Sequence, residues 1–335
     1  MTRVLFYEPA YQRIAERIST LAGVDALLMD RDGRIRVGDR EIRAEDAAPE
    51  VGWATSDLFG GPIRQYMVAL LKSPALRWLQ SGAAGFDNPV FAQIISKGAR
   101  LTTNHSQAVG MSEYVLATVL DHFQRGPERR IAQARAEWAR LPYREISGSR
   151  WLIIGFGAIG QEVARRARGF GAQIVGVRRA LGPHALADEM ASPERTHELL
   201  ASADVVVLSL PLSPQTESMV DGRFLSAMKT GSVLVNVGRG ALVDEAALIS
   251  ALAGGTPEHA VLDVFRTEPL PADSPFWKNP RVTLTGHASA IGSGLTRRTD
   301  ELFVENLARY MRGEPLINEA NPNDVKMEWP RQSVR

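Results

Sequence analysis

Short apolar segments alternate with helical segments over most of this sequence, and some of the apolar segments contain no polar residue. Val205–Leu208, which reads VVVL, is one of them. A strand without hydrophobic–polar alternation has both faces covered, which is typical of parallel sheets packed between helices. The alternation therefore predicts an α/β fold. The strand candidates are Val4–Phe6, Ala26–Met29, Gly52–Thr55, Leu76–Gln80 and Arg100–Thr103, followed by Trp151–Ile154, Gln173–Val177, Val205–Leu208, Val233–Val235, Ala260–Asp263 and Val282–Thr285.

A long helical stretch separates two alternating regions, and 335 residues are more than one average domain needs. Val109–Phe123 has apolar residues at the 3.6-residue spacing of a helix, and the Arg- and Ala-rich piece that follows to Arg140 is also predicted to be helical. We therefore expect two α/β domains. The other helix candidates are Phe91–Ser96, Ala158–Phe170, His197–Ala201, Glu245–Ala253 and Gly294–Arg312.

A GxGxxG motif follows the first strand candidate of the second region and opens an amphipathic helix. In this context the first glycine permits a tight turn, the second lets a pyrophosphate approach the backbone, and the third lets helix and strand pack closely. The helix N-terminus adds free N–H groups and a positive dipole end. The motif predicts a dinucleotide site formed by Gly155, Gly157, Ala158, Ile159 and Gly160.

The choice of dinucleotide is read at the end of the next strand candidate. An NAD site usually has Asp or Glu about 20 residues after the motif, bound to the ribose 2′-hydroxyl. Here the strand ends with Arg178 and Arg179, and Asp188 comes too late. Two guanidinium groups suit a 2′-phosphate dianion. We predict NADP as the preferred cofactor, with NAD as the alternative.

Composition excludes several other classes of protein. The net charge is only +1, which argues against nucleic-acid binding by bulk electrostatics. The absence of cysteine rules out disulfides, thiolate nucleophiles and Cys-ligated zinc. No signal peptide, membrane-length apolar run or metal-binding motif such as HExxH is found. We expect a cytoplasmic protein without a metal, a membrane or a nucleic acid as partner.

Polar residues follow three further strand candidates, where a doubly wound sheet binds its ligands. These residues lie in the segments Asn236…Arg239-Gly240, Glu268-Pro269-Leu270 and His287. Together with Gln80-Ser81-Gly82-Ala83-Ala84-Gly85-Phe86-Asp87, the GxGxxG turn and Leu210-Pro211-Leu212 with Thr216, they make the chain resemble the D-isomer-specific 2-hydroxyacid dehydrogenase family. The resemblance covers nearly the whole chain and is strongest from Leu76 to Pro315.

The resemblance implies two doubly wound domains. A Rossmann cofactor domain, 102–295, would be inserted in a flavodoxin-like, discontinuous substrate domain made of 1–101 and 296–335. It also implies a homodimer formed through the cofactor domain, for which Gly126–Arg140 is a plausible arm with Trp138 as an anchor.

The resemblance further implies a catalytic set of Arg239, Glu268 and His287. A guanidinium can hold a substrate carboxylate and polarise the neighbouring carbonyl with forked hydrogen bonds. His287 would give the carbonyl oxygen its proton as a general acid. Glu268 would fix the imidazole tautomer and favour the imidazolium.

Other contacts are implied in the same way. The loop residues Ala83, Ala84 and Gly85 would offer backbone N–H groups to the substrate carboxylate, alongside Arg239. Pro211 and Thr216 would border the cofactor, and the Val237 backbone would lie near its ribose. Asp263 would accept a hydrogen bond from the nicotinamide carboxamide, and as an acid at the end of an apolar strand it needs some partner.

Several interpretations of the function remain open at the level of sequence. The first is an NADP(H)-preferring reductase of small 2-oxo acids, of the glyoxylate/hydroxypyruvate reductase type. A phosphoglycerate dehydrogenase-like enzyme is a rival, and a non-catalytic dinucleotide-sensing protein, like the C-terminal-binding corepressors, is an alternative of another class. The chain also departs from the family pattern: Gly286 stands where proline is common, and Ala288-Ser289-Ala290 replaces a Gly- and Thr-containing run.

Overall fold

A computed structural model describes residues 1–85 and 88–325. The chain divides into two compact units. The first unit contains Met1–Ser106 and the C-terminal segment that begins at Ser293, and the second unit contains Gln107–Gly292. Each unit has its own sheet and its own apolar core.

The strands found in the described ranges belong to two seven-stranded sheets. The first unit has β1 Thr2–Tyr7, β2 Val24–Met29, β3 Ile35–Val37, β4 Arg40–Ile42, β5 Val51–Ala54, β6 Trp78–Ser81 and β7 Arg100–Thr102. The second unit has β8 Arg150–Ile154, β9 Gln173–Val177, β10 Glu189–Ala191, β11 Val205–Leu208, β12 Val233–Asn236, β13 His259–Leu262 and β14 Val282–Leu284.

The α-helices connect and cover these strands. In chain order they are α1 Glu8–Ser19, α2 Ala44–Ala47, α3 Ile63–Lys72, α4 Pro89–Ser96, α5 Ala108–Phe123, α6 Gly126–Ala134, α7 Ala158–Gly169, α8 Thr196–Leu200, α9 Gly222–Ala227, α10 Glu245–Gly254 and α11 Leu295–Met311. No helix in the described ranges combines the length and the apolar character that a membrane span requires.

The sheet of the first unit has the order β4-β3-β2-β1-β5-β6-β7. Its five parallel strands follow the flavodoxin-like order 2-1-3-4-5, and β3 and β4 add an antiparallel hairpin at one edge. Side chains alternate between two apolar layers. One layer contains α1 and α11, where Phe303 stacks on Trp53 with ring centroids 4.4 Å apart, and the other contains α3 and α4.

The sheet of the second unit has the order β10-β9-β8-β11-β12-β13-β14, and all its pairings are parallel. This is the Rossmann order 3-2-1-4-5-6 with one further strand at the β13 edge. The strands β11, β12 and β13 are buried at every position, as their apolar runs Val205–Leu208, Val233–Val235 and Ala260–Leu262 predict. The predicted α/β fold class is confirmed.

Some elements differ from the sequence-based expectation. The helix expected to run to Arg140 ends at Ala134, and Ala136 has a left-handed φ of +53°. Trp138, the expected anchor, is 90% exposed. An amphipathic helix derives most of its stability from packing of its apolar face, and the described residues leave Trp138 largely uncovered. The hairpin β3–β4 and the three-residue strand β10 were not expected, because such short elements carry little periodic signal.

Candidate active site

The glycine-rich turn joins β8 to α7, as the motif predicts. Gly155 has a φ of +97°, and a Cβ there would lie 2.6 Å from the Ser209 carbonyl carbon at the end of β11. A Cβ at Gly160 would lie 2.4 Å from the Gly155 carbonyl oxygen. The first and third glycines are therefore required by contacts within the protein itself.

The middle glycine is different, because a Cβ on Gly157 would meet no atom of the described residues within 4 Å. Gly157 is the exposed N-cap residue of α7 and has an ordinary φ of −87°. The first-turn N–H groups of a helix have no partner inside the helix, so those of Ala158 and Ile159 face the space beside Gly157. The absent side chain keeps this backbone open to a phosphate group.

Arg178 follows β9 directly, beside the turn. The N–H groups of Gly155 and Phe156 both donate to the Val177 carbonyl at 3.0 Å, and the Arg178 N–H donates to Ala191. The Arg178 Nε is buried, and no acceptor reaches it within the part of the chain that the structure describes. A buried guanidinium nitrogen without a partner is uncommon and suits an anionic ligand. Arg179 is exposed.

Asp188 lies away from this end of the strand. Its carboxylate accepts the Ile174 N–H at 2.7 Å, near the beginning of β9, and pairs with Arg168 at 2.8 Å. The side chain that could have mimicked an NAD-type acid is therefore used in a structural contact at the opposite end of β9.

The loop after β11 contains Pro211 and Thr216. The Thr216 hydroxyl donates to the Pro211 carbonyl at 3.0 Å and accepts the Ser213 N–H at 2.7 Å. These bonds close the loop on itself, and Pro211 stays exposed at its surface. The roles expected of both residues toward a cofactor stay predictions.

Arg239 is held by the segment that follows β12. The buried Asn236 side chain donates to the Arg239 carbonyl at 2.9 Å and accepts the Gly238 N–H at 3.0 Å. A Cβ on Gly240 would lie 1.8 Å from the Phe265 carbonyl carbon, so glycine permits this segment to lie against the loop after β13. Val237 is buried, and its N–H donates to the Leu208 carbonyl. Asn236 thus positions Arg239, a role that the sequence analysis did not assign.

Glu268 and His287 form a direct pair. The His287 Nδ1 and Glu268 Oε2 are 2.7 Å apart, and Glu268 Oε1 accepts the Phe265 N–H at 2.9 Å. Because a carboxylate can only accept, Nδ1 carries the proton and Nε2 is the nitrogen left for a substrate. The His287 side chain is 52% exposed, so it can be reached from outside.

The charges of this pair support each other. The hydrogen bond to Glu268 raises the pKa of His287, against opposing effects of burial and of the nearby Arg239 charge. Burial alone would raise the pKa of Glu268, but hydrogen bonds from His287 and Phe265 outweigh it and hold that pKa below its usual value. Glu268 therefore stays ionised and favours the imidazolium form of His287.

Asp263 is 1% exposed and has several partners in the His287 loop. Its carboxylate accepts hydrogen bonds from the Thr285 hydroxyl, the Ala288 N–H, the Ser289 N–H and the Ser289 hydroxyl. The expectation that Asp263 needs partners is met within the protein. Its proposed bond to a nicotinamide carboxamide stays a prediction, because the four donors already match the roughly four lone-pair sites of a carboxylate.

The substrate loop predicted from the sequence lies in the first unit, after β6. The Ala83 N–H donates to the Ser81 hydroxyl at 3.0 Å, and the Ala83 carbonyl accepts the Asn104 N–H at 2.8 Å. Ala84 and Gly85 complete the described part of the loop, and Phe86 and Asp87 lie outside the described residues. Their expected contacts with a substrate carboxylate stay predictions.

The second unit fits a dinucleotide on these observations. It has an open backbone at Gly157, a helix N-terminus facing that opening, and a buried Arg178 Nε without an acceptor in the described ranges. The same ranges contain no cluster of His, Asp or Glu side chains that could hold a metal ion. The residues present thus support a bound nucleotide.

Comparisons with known proteins agree with this geometry. Residues 116–289 match the family model described as "D-isomer specific 2-hydroxyacid dehydrogenase, NAD binding domain". The chain is 34% identical to a glyoxylate reductase of Thermococcus kodakarensis over 271 residues, which cover 77% of this chain and 80% of the relative. It is 29% identical to a D-3-phosphoglycerate dehydrogenase of Methanocaldococcus jannaschii over 262 residues, covering 77% of this chain and 50% of that protein.

Among solved structures, a D-isomer specific 2-hydroxyacid dehydrogenase from Xanthobacter autotrophicus Py2, in complex with NADPH and MES, superimposes with a TM-score of 0.77. The two chains are 25% identical, and the match covers 97% of this chain and 99% of the other. Fold, site and relatives together define an NAD(P)-dependent oxidoreductase. The chain belongs to the D-isomer-specific 2-hydroxyacid dehydrogenase family, so its substrates are 2-hydroxy acids and the corresponding 2-oxo acids.

Proposed function

We propose that this protein is an NADP(H)-preferring reductase of small 2-oxo acids, with His287 as the general acid. The observation that carries the proposal is the 2.7 Å bond between Glu268 and His287 Nδ1, near the charge of Arg239. A phosphoglycerate dehydrogenase-like activity is the second candidate, supported by the similarity to the Methanocaldococcus jannaschii enzyme.

The reduction needs a bound and polarised substrate, a hydride and a proton. Arg239 holds the carboxylate of the 2-oxo acid and polarises its carbonyl group, because a guanidinium can form forked hydrogen bonds to both. A nucleotide held at the Gly155–Gly160 turn would supply the hydride that the carbonyl carbon receives. The carbonyl oxygen gains negative charge in this step and takes the proton from His287 Nε2, while Glu268 stabilises the imidazolium beforehand.

In this proposal the residues that contact the nucleotide and those of the substrate loop belong to different units. The second unit holds the nucleotide through the turn at Gly155–Gly160 and through Arg178 and Arg179. The first unit offers the loop Ala83–Gly85 to the substrate. We also propose a homodimer whose arm includes α6, and a cytoplasmic location stays a prediction.

The preference for NADP rests on Arg178. Its buried Nε lacks a partner in the described residues, and Asp188, the acid that would repel a 2′-phosphate, is bound to Ile174 and Arg168 instead. A charge-assisted hydrogen bond is worth about 1.5–3 kcal/mol. Arg178→Ala should therefore raise the KM for NADPH by roughly 10- to 150-fold and leave the KM for NADH nearly unchanged. Arg165→Ala is the matched control, because it removes an exposed guanidinium on α7 and leaves Arg178 in place.

The test is the oxidation of NADPH and of NADH, followed by absorbance, with glyoxylate, hydroxypyruvate, pyruvate, phenylpyruvate, oxaloacetate and 3-phosphohydroxypyruvate. Turnover with a small 2-oxo acid and NADPH supports the proposal. A clear preference for the phosphorylated substrate would favour the second candidate, and a preference for NADH would refute the role of Arg178. His287→Gln should abolish turnover while NADPH binding, measured by fluorescence, is retained.

A further inference from the structure

The loop that carries His287 is attached to one buried residue, Asp263. The His287 N–H donates to the backbone carbonyl of Asp263 at 2.8 Å. The next two N–H groups, of Ala288 and Ser289, donate to the Asp263 carboxylate at 2.8 Å and 3.1 Å. Three consecutive residues of the loop are thus bound to a single residue at the end of β13.

Two hydroxyl groups complete this attachment. The Ser289 hydroxyl donates to Asp263 Oδ2 at 2.5 Å, and the Thr285 hydroxyl donates to Oδ1 at 2.5 Å. Since the Thr285 proton is used in this bond, the Tyr114 hydroxyl donates to Thr285, at 2.9 Å. Ser289 is only 5% exposed, so its hydroxyl bond is sheltered from competing water.

The attachment matters because of the backbone at His287. Its φ is +52°, in the left-handed region that residues with a side chain avoid. The residue before it is Gly286, which has no side chain to restrict the backbone, and within the described part of the chain a Cβ there would meet no atom closer than 4 Å. The conformation of His287 is therefore held by the bonds to Asp263 and not by packing at position 286.

We propose that Ser289 and Thr285 are positioning residues for 2-oxo acid reduction, acting through Asp263 to hold His287 in its left-handed conformation beside Glu268. This inference rests on the proposed role of His287 as general acid. In this proposal the buried Asp263 carboxylate anchors the loop that carries His287, because donors from that loop occupy its acceptor sites.

Kinetics of Ser289→Ala and Thr285→Val test the proposal. Each variant should lower kcat by about 10-fold, less than the roughly 10²- to 10⁴-fold that a general acid contributes, because His287 remains present but is held less well. The KM for NADPH and for the 2-oxo acid should change by less than about 2-fold, since Arg178 and Arg239 are untouched. Ser112→Ala is the matched control, because Ser112 is equally buried in the second unit but donates only to the Val109 carbonyl.

Restricting the backbone at position 286 provides the decisive comparison. Proline there sacrifices no backbone hydrogen bond to a carbonyl of the described ranges, because the Gly286 N–H donates to none, and the φ of Gly286 is not positive. If Ser289 acts by holding the loop, Gly286→Pro should restore most of the kcat lost in Ser289→Ala. The same Ser289→Ala change should cost less than about 3-fold when it is made in the Gly286→Pro background.

Hydrogen exchange of the peptide that spans residues 285–291 gives a readout independent of activity. Exchange of the N–H groups of residues 287–289 should be faster in Ser289→Ala than in the parent or in Ser112→Ala, and slow again in the double variant. If this change appears while the parent enzyme reduces no 2-oxo acid, the positioning of the loop stands and the proposed function fails. Unchanged exchange and unchanged kcat in Ser289→Ala would overturn the inference, as would a loss of kcat that Gly286→Pro does not reverse.

Discussion

The same substitution at two glycines of the turn should have opposite consequences. Alanine at Gly155 would place a Cβ 2.6 Å from the Ser209 carbonyl carbon, at a residue whose φ is +97°. Alanine at Gly157 would meet no atom of residues 1–85 and 88–325 within 4 Å, at a residue whose φ of −87° suits any side chain. We therefore expect Gly155→Ala to destabilise the fold and Gly157→Ala to weaken only the binding of the dinucleotide.

The size of each effect follows from these contacts. Left-handed strain costs about 1–2 kcal/mol, and an added methyl group against rigid backbone costs about 1–3 kcal/mol. Gly155→Ala should therefore lower the free energy of unfolding by about 2–5 kcal/mol. At about 2–4 °C per kcal/mol for a domain of 150–250 residues, the Tm should fall by roughly 5–20 °C.

The second variant has no such cost. Replacing glycine by alanine at a compatible backbone position changes stability by less than about 1 kcal/mol, and in the favourable direction, because it restricts the unfolded chain. The new methyl group instead occupies the approach to the N-terminus of α7, and we expect the Kd for NADPH to rise at least about 10-fold, or roughly 1.4 kcal/mol.

Thermal unfolding by circular dichroism, without added nucleotide, measures the first effect, and fluorescence titration with NADPH measures the second. The protein with both glycines intact and Gly169→Ala, another helix glycine whose Cβ would meet nothing within 4 Å, serve as references. A Tm for Gly155→Ala within about 2 °C of the parent would refute the packing argument. An unchanged Kd for Gly157→Ala would refute the assignment of the open backbone to the phosphate groups.

Three further predictions follow from the site and its surroundings. Glu268→Gln removes the carboxylate that raises the pKa of His287, so the alkaline fall of kcat/KM for reduction should begin at lower pH than in the parent; an unmoved pH profile would contradict the pairing. Arg239→Lys cannot form forked hydrogen bonds, so the KM for the 2-oxo acid should rise by at least about 10-fold in steady-state assays, whereas an unchanged KM would place the carboxylate elsewhere. Burial lowers the pKa of His259 to about 3, so the folded state takes up its proton less readily than the unfolded chain, whose histidine pKa is about 6.5. The contribution of His259 to stability should be constant above about pH 6.5 and fall below it, by about 2 kcal/mol at pH 5, and urea unfolding of His259→Gln should show a smaller loss at acid pH.

Much of the fold of the second unit can be predicted from local sequence. The strands β8, β9 and β11–β14 were all anticipated because each is an apolar run that stands out from its surroundings. The strand β10 was not, because its three residues take strand geometry only by pairing with β9. The early end of α6 has a related reason, since the residues from there to Arg140 favour a helix locally but stay exposed among the described residues.

The candidate site shows the same division. Arg239, Glu268 and His287 can be named at the level of sequence because the motifs that contain them make the chain resemble the 2-hydroxyacid dehydrogenase family, and the resemblance implies this set. The partners of Asp263 cannot, because Thr285, Ala288 and Ser289 are 22 to 26 residues away along the chain. Asn236 is the polar residue that ends β12, and this position was the sequence signal that could have found it. Its bond to the Arg239 carbonyl appears only in the structure.

The sequence alone determined where the glycine-rich turn lies and supplied the residue types that we propose for proton transfer. Both can be recognised from neighbouring residues, because a turn glycine and a periodic spacing of apolar residues determine local structure over only a few positions. The tertiary structure decided which of those groups are already used. It left the Arg178 Nε without an acceptor in the described residues, bound Asp188 to the beginning of β9, away from Arg178, and filled the Asp263 carboxylate with donors from the His287 loop. Hydrogen bonds of that kind depend on distances between residues remote in sequence, and those distances exist only once the sheet has formed.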